Sequence, residues 1–211
     1  IMALVLNGSN NTIGGLAVGG LPNGVVDTDM LAADAVTGVK QGAGSIIQVV
    51  NSLNTYSYEV TGTANTEYTV LSASGTNWDT AITINQGNKV FISLTLNVAK
   101  SQSGDANTYF DIYYKVDSGS YAKVAEGNTH GSRSKHFGNV RSYGGPYNIE
   151  ESSAQALITP SISGSTGVIT FQVRVTQRAA NNRAILINHT EQDNSEGGTT
   201  VSSLTAMEVV A

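Results

Sequence analysis

Apolar and polar residues alternate along three long stretches of the chain. Every second position is apolar in residues 90–98, 110–116 and 169–175. The side chains of a strand point to opposite faces in turn, so this period of two predicts strands with one buried face. Burial on one face is typical of antiparallel sheets, whereas the strands of parallel sheets are buried on both faces.

Shorter β-rich segments between turn residues extend the pattern over residues 46–211. Asn, Asp and Gly mark turns at residues 85–88 and 117–119, and the second turn predicts a hairpin into residues 121–124. Further strands are predicted around residues 46–53, 56–60, 68–71, 81–84, 154–159, 184–189 and 201–210. These elements, with almost no helix, predict an all-β fold, an antiparallel, jelly-roll-like β-sandwich.

The first 45 residues follow a different pattern. They hold nine of the 23 glycines and show no sustained period of two or of 3.6 residues. One short helix is indicated at residues 27–35, where Asp27 can cap and Met30 and Leu31 favour helix. We therefore predict an extended N-terminal arm over residues 1–45, with at most one short helix, and a β-sandwich head over residues 46–211.

Composition excludes several classes of function. The chain has 11 basic and 16 acidic residues, a net charge of -5 and no cysteine. Nucleic-acid binding and polybasic membrane contacts both need clustered Lys and Arg, so neither is expected. Without cysteine there is no disulfide framework and no thiolate zinc site. No apolar run approaches the roughly 20 residues that span a bilayer, so membrane insertion is not expected.

The sequence contains no convincing catalytic, cofactor or metal motif. Its glycine-rich segment GGLAVGGLPNG lacks the lysine and the spacing of a phosphate-binding loop. His130, His136 and His189 have no spacing that presents them together to a metal ion. Glu150 and Glu151 would point to opposite faces if extended, and we interpret them as solvated loop residues. We predict a non-enzymatic protein without cofactor or metal.

A long interruption separates the predicted strands between residues 125 and 153. It contains the candidate contact residues His130, Arg133, Lys135, His136, Arg141, Tyr143 and Tyr147. Tyrosine offers a flat apolar surface with a polar tip and arginine a forked donor, which suits recognition of a glycan or a protein. Equally, Arg133 and Arg141 could pair with nearby acids or contact a neighbouring subunit.

Short segments in order along the chain resemble one family of proteins. They are MALVL at 2–6, GGLP at 19–22, VDTDMLAA at 26–33, SIIQVVN at 45–51, GSR at 131–133 and SLTAME at 203–208. Together they resemble the short tail-fibre and related virion proteins of tailed bacteriophages, especially marine ones. The resemblance implies a structural protein on the virion surface, made in the bacterial cytoplasm and assembled as a homotrimer.

The resemblance also implies roles for the two predicted regions. The sandwich would attach to a host-surface glycan or protein, and the arm would dock onto tail, adaptor or capsid proteins. The apolar arm residues expected to make that contact are Leu16, Val18, Leu21, Pro22, Met30 and Leu31. No long shaft separates arm and head, so a capsid decoration or head-fibre protein is the alternative to a short tail fibre or spike. A glycan-degrading virion enzyme is a third hypothesis, although no acid/base pair specifies it.

Overall fold

The computed structural model describes residues 5–7, 12–14, 41–101, 106–128, 130–131, 134–142, 148–177 and 184–211. The chain divides into two compact units, residues 1–41 and 42–211. In the first unit, strands β1 (Val5–Asn7) and β2 (Thr12–Gly14) form an antiparallel pair. The short helix predicted at 27–35 lies outside the described residues. So do the predicted arm contacts Leu16, Val18, Leu21, Pro22, Met30 and Leu31.

The second unit is built from antiparallel strands, and its described residues include no helix. Its strands are β3 (Ile46–Asn54), β4 (Tyr58–Val60), β5 (Glu67–Thr69), β6 (Leu71–Ala73), β7 (Thr76–Asn77), β8 (Asp79–Asn85), β9 (Lys89–Lys100), β10 (Ala106–Val116), β11 (Ala122–Lys123), β12 (Gly138–Ser142), β13 (Glu150–Ile158), β14 (Thr166–Gln177), β15 (Ile185–Ile187) and β16 (Ser202–Val209). The prediction of an all-β antiparallel sandwich is confirmed.

Two six-stranded sheets form the layers of the sandwich. In the first sheet, β9 pairs with β13 on one side and with β16 and β15 on the other. The outer neighbours are β3, which pairs with β16, and β4, which pairs with β15. In the second sheet, β10 pairs with β14, β12 and β11, and β14 pairs in turn with β8 and β5.

The core lies between the inward faces that the alternating pattern predicted. Val90, Ile92, Leu94, Leu96 and Val98 of β9 are buried, and so are Ile169, Phe171, Val173 and Val175 of β14. Burying each side chain of this size stabilises the fold by about 1.5–3 kcal/mol. Trp78 fills the same core, and its indole Nε1 donates to Ser52 Oγ at 2.9 Å, so the one polar atom of this ring is satisfied.

The interruption predicted as a loop between residues 125 and 153 is partly a strand. β12 lies within it, where the backbone pairs with β10 and Val140 is buried opposite Thr108. The interpretation of Glu150 and Glu151 as loop residues is wrong, because both begin β13. There Glu150 is half-buried and Glu151 is exposed, because successive side chains of a strand point to opposite faces of the sheet.

Candidate functional site

The outward face of the second sheet is polar, charged and aromatic. Successive side chains of a strand point to opposite faces, so the residues between the core positions of β10 and β14 point away from the core. We call this surface the tyrosine face, and its members are Glu67, Asp79, Tyr109, Asp111, Tyr113, Tyr121, Lys123, Gln172 and Arg174. The face therefore combines aromatic rings with side chains of both signs of charge.

Arg174 and Tyr113 organise the middle of the tyrosine face. The Arg174 guanidinium carbon lies 4.0 Å from the centroid of the Tyr113 ring, and Arg174 Nη1 pairs with Glu67 Oε2 at 3.0 Å. Tyr113 Oη donates to Glu67 Oε1 at 2.9 Å. Burial, and then the hydrogen bond and charge of Glu67, raise the pKa of Tyr113 to about 12. Tyr113 is thus a neutral donor whose ring is held by a cation.

A buried carboxylate anchors one end of this face. The side chain of Asp111 is 1% exposed, and its Oδ2 lies 3.2 Å from Lys123 Nζ and 2.7 Å from His136 Nδ1. Its Oδ1 accepts from the Phe137 backbone N–H at 2.9 Å. Burial acts to lower the pKa of Lys123, but the charge and hydrogen bond of Asp111, together with Tyr113 and Glu126, outweigh it, so that this pKa is raised. The negative charge of Asp111 is therefore matched from several sides, as a buried charge requires.

The Asp111 contact fixes the orientation of His136. A carboxylate accepts hydrogen bonds, so the contact with Asp111 places a proton on Nδ1 of His136 and leaves Nε2 as the second polar atom of the ring. The imidazole also stacks on Tyr109, with ring centroids 4.5 Å apart and planes 17° apart. Both contacts hold the ring in one pose beside a cleft.

This cleft has a volume of about 290 Å³ and is open to solvent. It is lined by Tyr109, Gly127, Asn128, His130, Ser134, Lys135, His136, Gly138 and Asn139. Amide, hydroxyl, imidazole and ammonium groups converge there around one aromatic ring. The volume lies near the lower end of the roughly 300–1,000 Å³ of small-ligand clefts.

The structure brings three of the candidate contact residues together. His130, Lys135 and His136 all line the cleft. Lys135 Nζ also lies 3.9 Å from Glu126 Oε2, a weak exposed ion pair. Arg141 lies in β12 opposite Asn107. Arg133, Tyr143 and Tyr147 lie outside the described residues.

Sequence reasoning missed the residues that support the cleft from the neighbouring strands. Tyr109 and Asp111 occupy outward positions of β10, and Lys123 lies on β11. The alternation of β10 carried a usable signal, because it places a carboxylate between two tyrosines on the face opposite the core. The partnership with His136, however, depends on how the chain after β11 returns over the sheet.

A second, larger cleft of about 430 Å³ lies by the loop that follows β15. It includes His189, Thr190, Glu191, Asp193 and Asn194. Two of its polar side chains are already engaged by the backbone of the same loop: Thr190 Oγ1 accepts from the N–H of residue 198, and Asn194 Oδ1 accepts from those of residues 196 and 197. We therefore regard the smaller cleft as the better candidate.

Neither a metal centre nor a membrane-spanning helix emerges from the described ranges. No three His, Asp or Glu side chains within these ranges converge as ligands for a metal ion. The part of the chain that the structure describes contains no helix long and apolar enough to cross a membrane.

Comparison with known proteins gives only distant structural likenesses. No family model and no curated protein matches the chain. It is similar to a chain in the structure of infectious bursal disease virus Gx strain, with 14% identity, 78% of this chain and 36% of that chain covered, and a TM-score of 0.35. For a chain in the structure of the Gt strain, the identity is 13%, the coverage is 80% of this chain and 43% of that chain, and the TM-score is 0.27. The chain thus spans less than half the length of either, and a likeness this weak carries no argument about function.

Proposed function

We propose that this protein is a non-enzymatic structural component of a tailed-phage virion, a short tail fibre or spike whose sandwich attaches to a glycan on the host surface. The ordered sequence segments that resemble phage virion proteins support the class of protein. The observation that carries the attachment role is the cleft at Tyr109 and His136, with its buried Asp111 support.

The chemistry of this cleft suits a sugar. A sugar ring has an apolar C–H face, which packs on an aromatic ring such as Tyr109, and a rim of hydroxyls that both donate and accept. Lys135 supplies a donor at the rim, Asn128 and Asn139 supply both donors and acceptors, and His136 supplies its second ring nitrogen. Because Asp111 and Tyr109 already hold the imidazole, little side-chain freedom is lost when a ligand binds.

Binding of the purified full chain to an array of bacterial lipopolysaccharides and capsular polysaccharides tests this function. His136→Ala and Tyr109→Ala should each weaken binding at least about tenfold, a loss of roughly 1.4 kcal/mol or more. His189→Ala is the matched control, because His189 lines the larger cleft. Unchanged binding by the first two variants, or a loss confined to the control, contradicts the assignment.

Two further measurements separate this function from the alternatives. An image of the particle that locates the chain on the capsid, combined with no binding on the array, would favour a decoration protein. Shortening of a polysaccharide during incubation with the pure protein would favour the enzyme hypothesis.

A further inference from the structure

One row of apolar side chains crosses the outward face of the first sheet. Leu157 of β13 lies opposite Phe91 of β9, Phe91 lies opposite Met207 of β16, and Met207 lies opposite Val49 of β3. Residues directly opposite in antiparallel strands project to the same face, so these four form a continuous apolar row. The row therefore crosses the four neighbouring strands β13, β9, β16 and β3.

The neighbouring rows on this face are almost free of charge. On one side lie Gln155, Ser93, Thr205 and Asn51, followed by Ser153, Thr95, Ser203 and Leu53. On the other side lie Lys89, Val209 and Ile46. The apolar row and these three rows together form a surface that we call the uncharged face. Lys89, at the rim, is the one charged side chain in these four rows.

The uncharged face holds most of the large apolar side chains that are exposed in the described residues. Leu53 is 62% exposed, Val49 56%, Leu157 55% and Ile46 54%. Among the described residues, Val168 and Val201 are the other two exposed large apolar side chains. Isolated exposed apolar residues are ordinary on a protein surface, but several on one face indicate an interaction site.

The edge of this face is also unprotected. β3, with the sequence IIQVVNSLN, pairs only with β16 among the described strands, so its other edge offers free backbone groups. Edge strands are usually protected by charged side chains or proline, and β3 has neither. A free, uncharged edge beside an apolar row favours burial against another polypeptide.

The distribution of charge favours a second copy of this chain as that polypeptide. A two-fold contact between two copies brings one patch against itself, so a patch that carries mainly one sign of charge would repel its copy. The whole chain has a net charge of -5, whereas Lys89 is the one charged side chain in the four rows of the uncharged face. The uncharged face is complementary to itself, and depletion of charge is the mark of interface cores.

We propose that the uncharged face of the first sheet packs against a second copy of this chain. The contact stacks two sheets at a separation of about 10 Å, as in a sandwich. It does not depend on glycan binding, because the tyrosine face belongs to the other sheet.

Oligomer mass and cross-linking of the full chain test this interface. Val49→Glu places a carboxylate at the end of the apolar row and should raise the dissociation constant of the oligomer at least about tenfold, measured by analytical ultracentrifugation. Thr83→Glu, at an exposed position on the other sheet, is the matched control and should leave the mass unchanged. Circular dichroism checks that both variants remain folded.

Cross-linking decides the case in which other contacts also hold the oligomer together. The chain has no cysteine, so Val49→Cys introduces its one thiol. A bismaleimide spanning about 10 Å should join copies of Val49→Cys, and should not join copies of Thr83→Cys. A monomeric wild-type protein, or an oligomer that cross-links no better through position 49 than through position 83, overturns the proposal and leaves the face to a different partner.

Discussion

Replacing Asp111 by asparagine should destabilise the sandwich measurably while preserving its shape. The buried carboxylate faces Lys123 Nζ and His136 Nδ1, and removing one partner of a buried ion pair costs about 3–5 kcal/mol. Lys123 is 21% exposed and retains Glu126 at 3.4 Å, so we expect a loss of about 2–3 kcal/mol. At about 2–4 °C per kcal/mol for a domain of this size, the melting temperature should fall by about 4–12 °C.

Urea unfolding followed by tryptophan fluorescence provides the assay, because the single tryptophan, Trp78, is buried in the core. A double-mutant cycle with Lys123→Met isolates the pair. The double variant leaves neither a buried carboxylate nor its lysine, so its loss should be smaller than the sum of the single losses by about 1–2 kcal/mol. Losses that add within about 0.5 kcal/mol would falsify the argument that Asp111 and Lys123 stabilise each other.

Two further predictions concern the same sheet. The raised pKa of Tyr113, about 12 beside Glu67, means that the unfolded chain loses this proton first, so stability present below pH 10 should decline between pH 10 and 12. Between pH 10 and 12 the urea midpoint of Tyr113→Phe should decline less than that of the wild type. Equal declines would contradict the assignment of this pH dependence to Tyr113. Gly138→Ala should cost about 1–3 kcal/mol, because a Cβ there meets the buried Phe110 ring. Gly42→Ala, with open space around it, is the control, and equal melting temperatures for the two variants oppose this reasoning.

Strands with strong one-sided burial were predictable from the sequence alone. Every apolar position of β9 and β14 that the period of two assigns to the core is buried. β12 was missed because its sequence, GNVRS, has a single apolar residue, Val140. Its strand state comes from pairing with β10, a long-range contact that no local pattern contains. Similarly, the strand predicted at residues 68–71 divides into β5 and β6 around the buried Val70.

The candidate site was predictable only in part. Its loop attracted attention because His130, Lys135 and His136 are unusual in a chain with few charges. The support from Asp111 was not predictable, since 25 residues separate it from His136. The apolar row was equally hidden, because it exists only when the registers of four strands are known.

The position of β16 has a consequence for how the protein is made. β16 lies between β3 and β9, although it is the last of the described strands to leave the ribosome. About 100 residues separate β9 from β16, which is roughly 5–20 seconds of synthesis at ordinary bacterial and eukaryotic rates. During that interval the facing edges of β3 and β9 have no partner, so the nascent chain is exposed to aggregation. The first sheet can close only after translation has reached Val209, so its assembly must wait until all the other described strands have been synthesised.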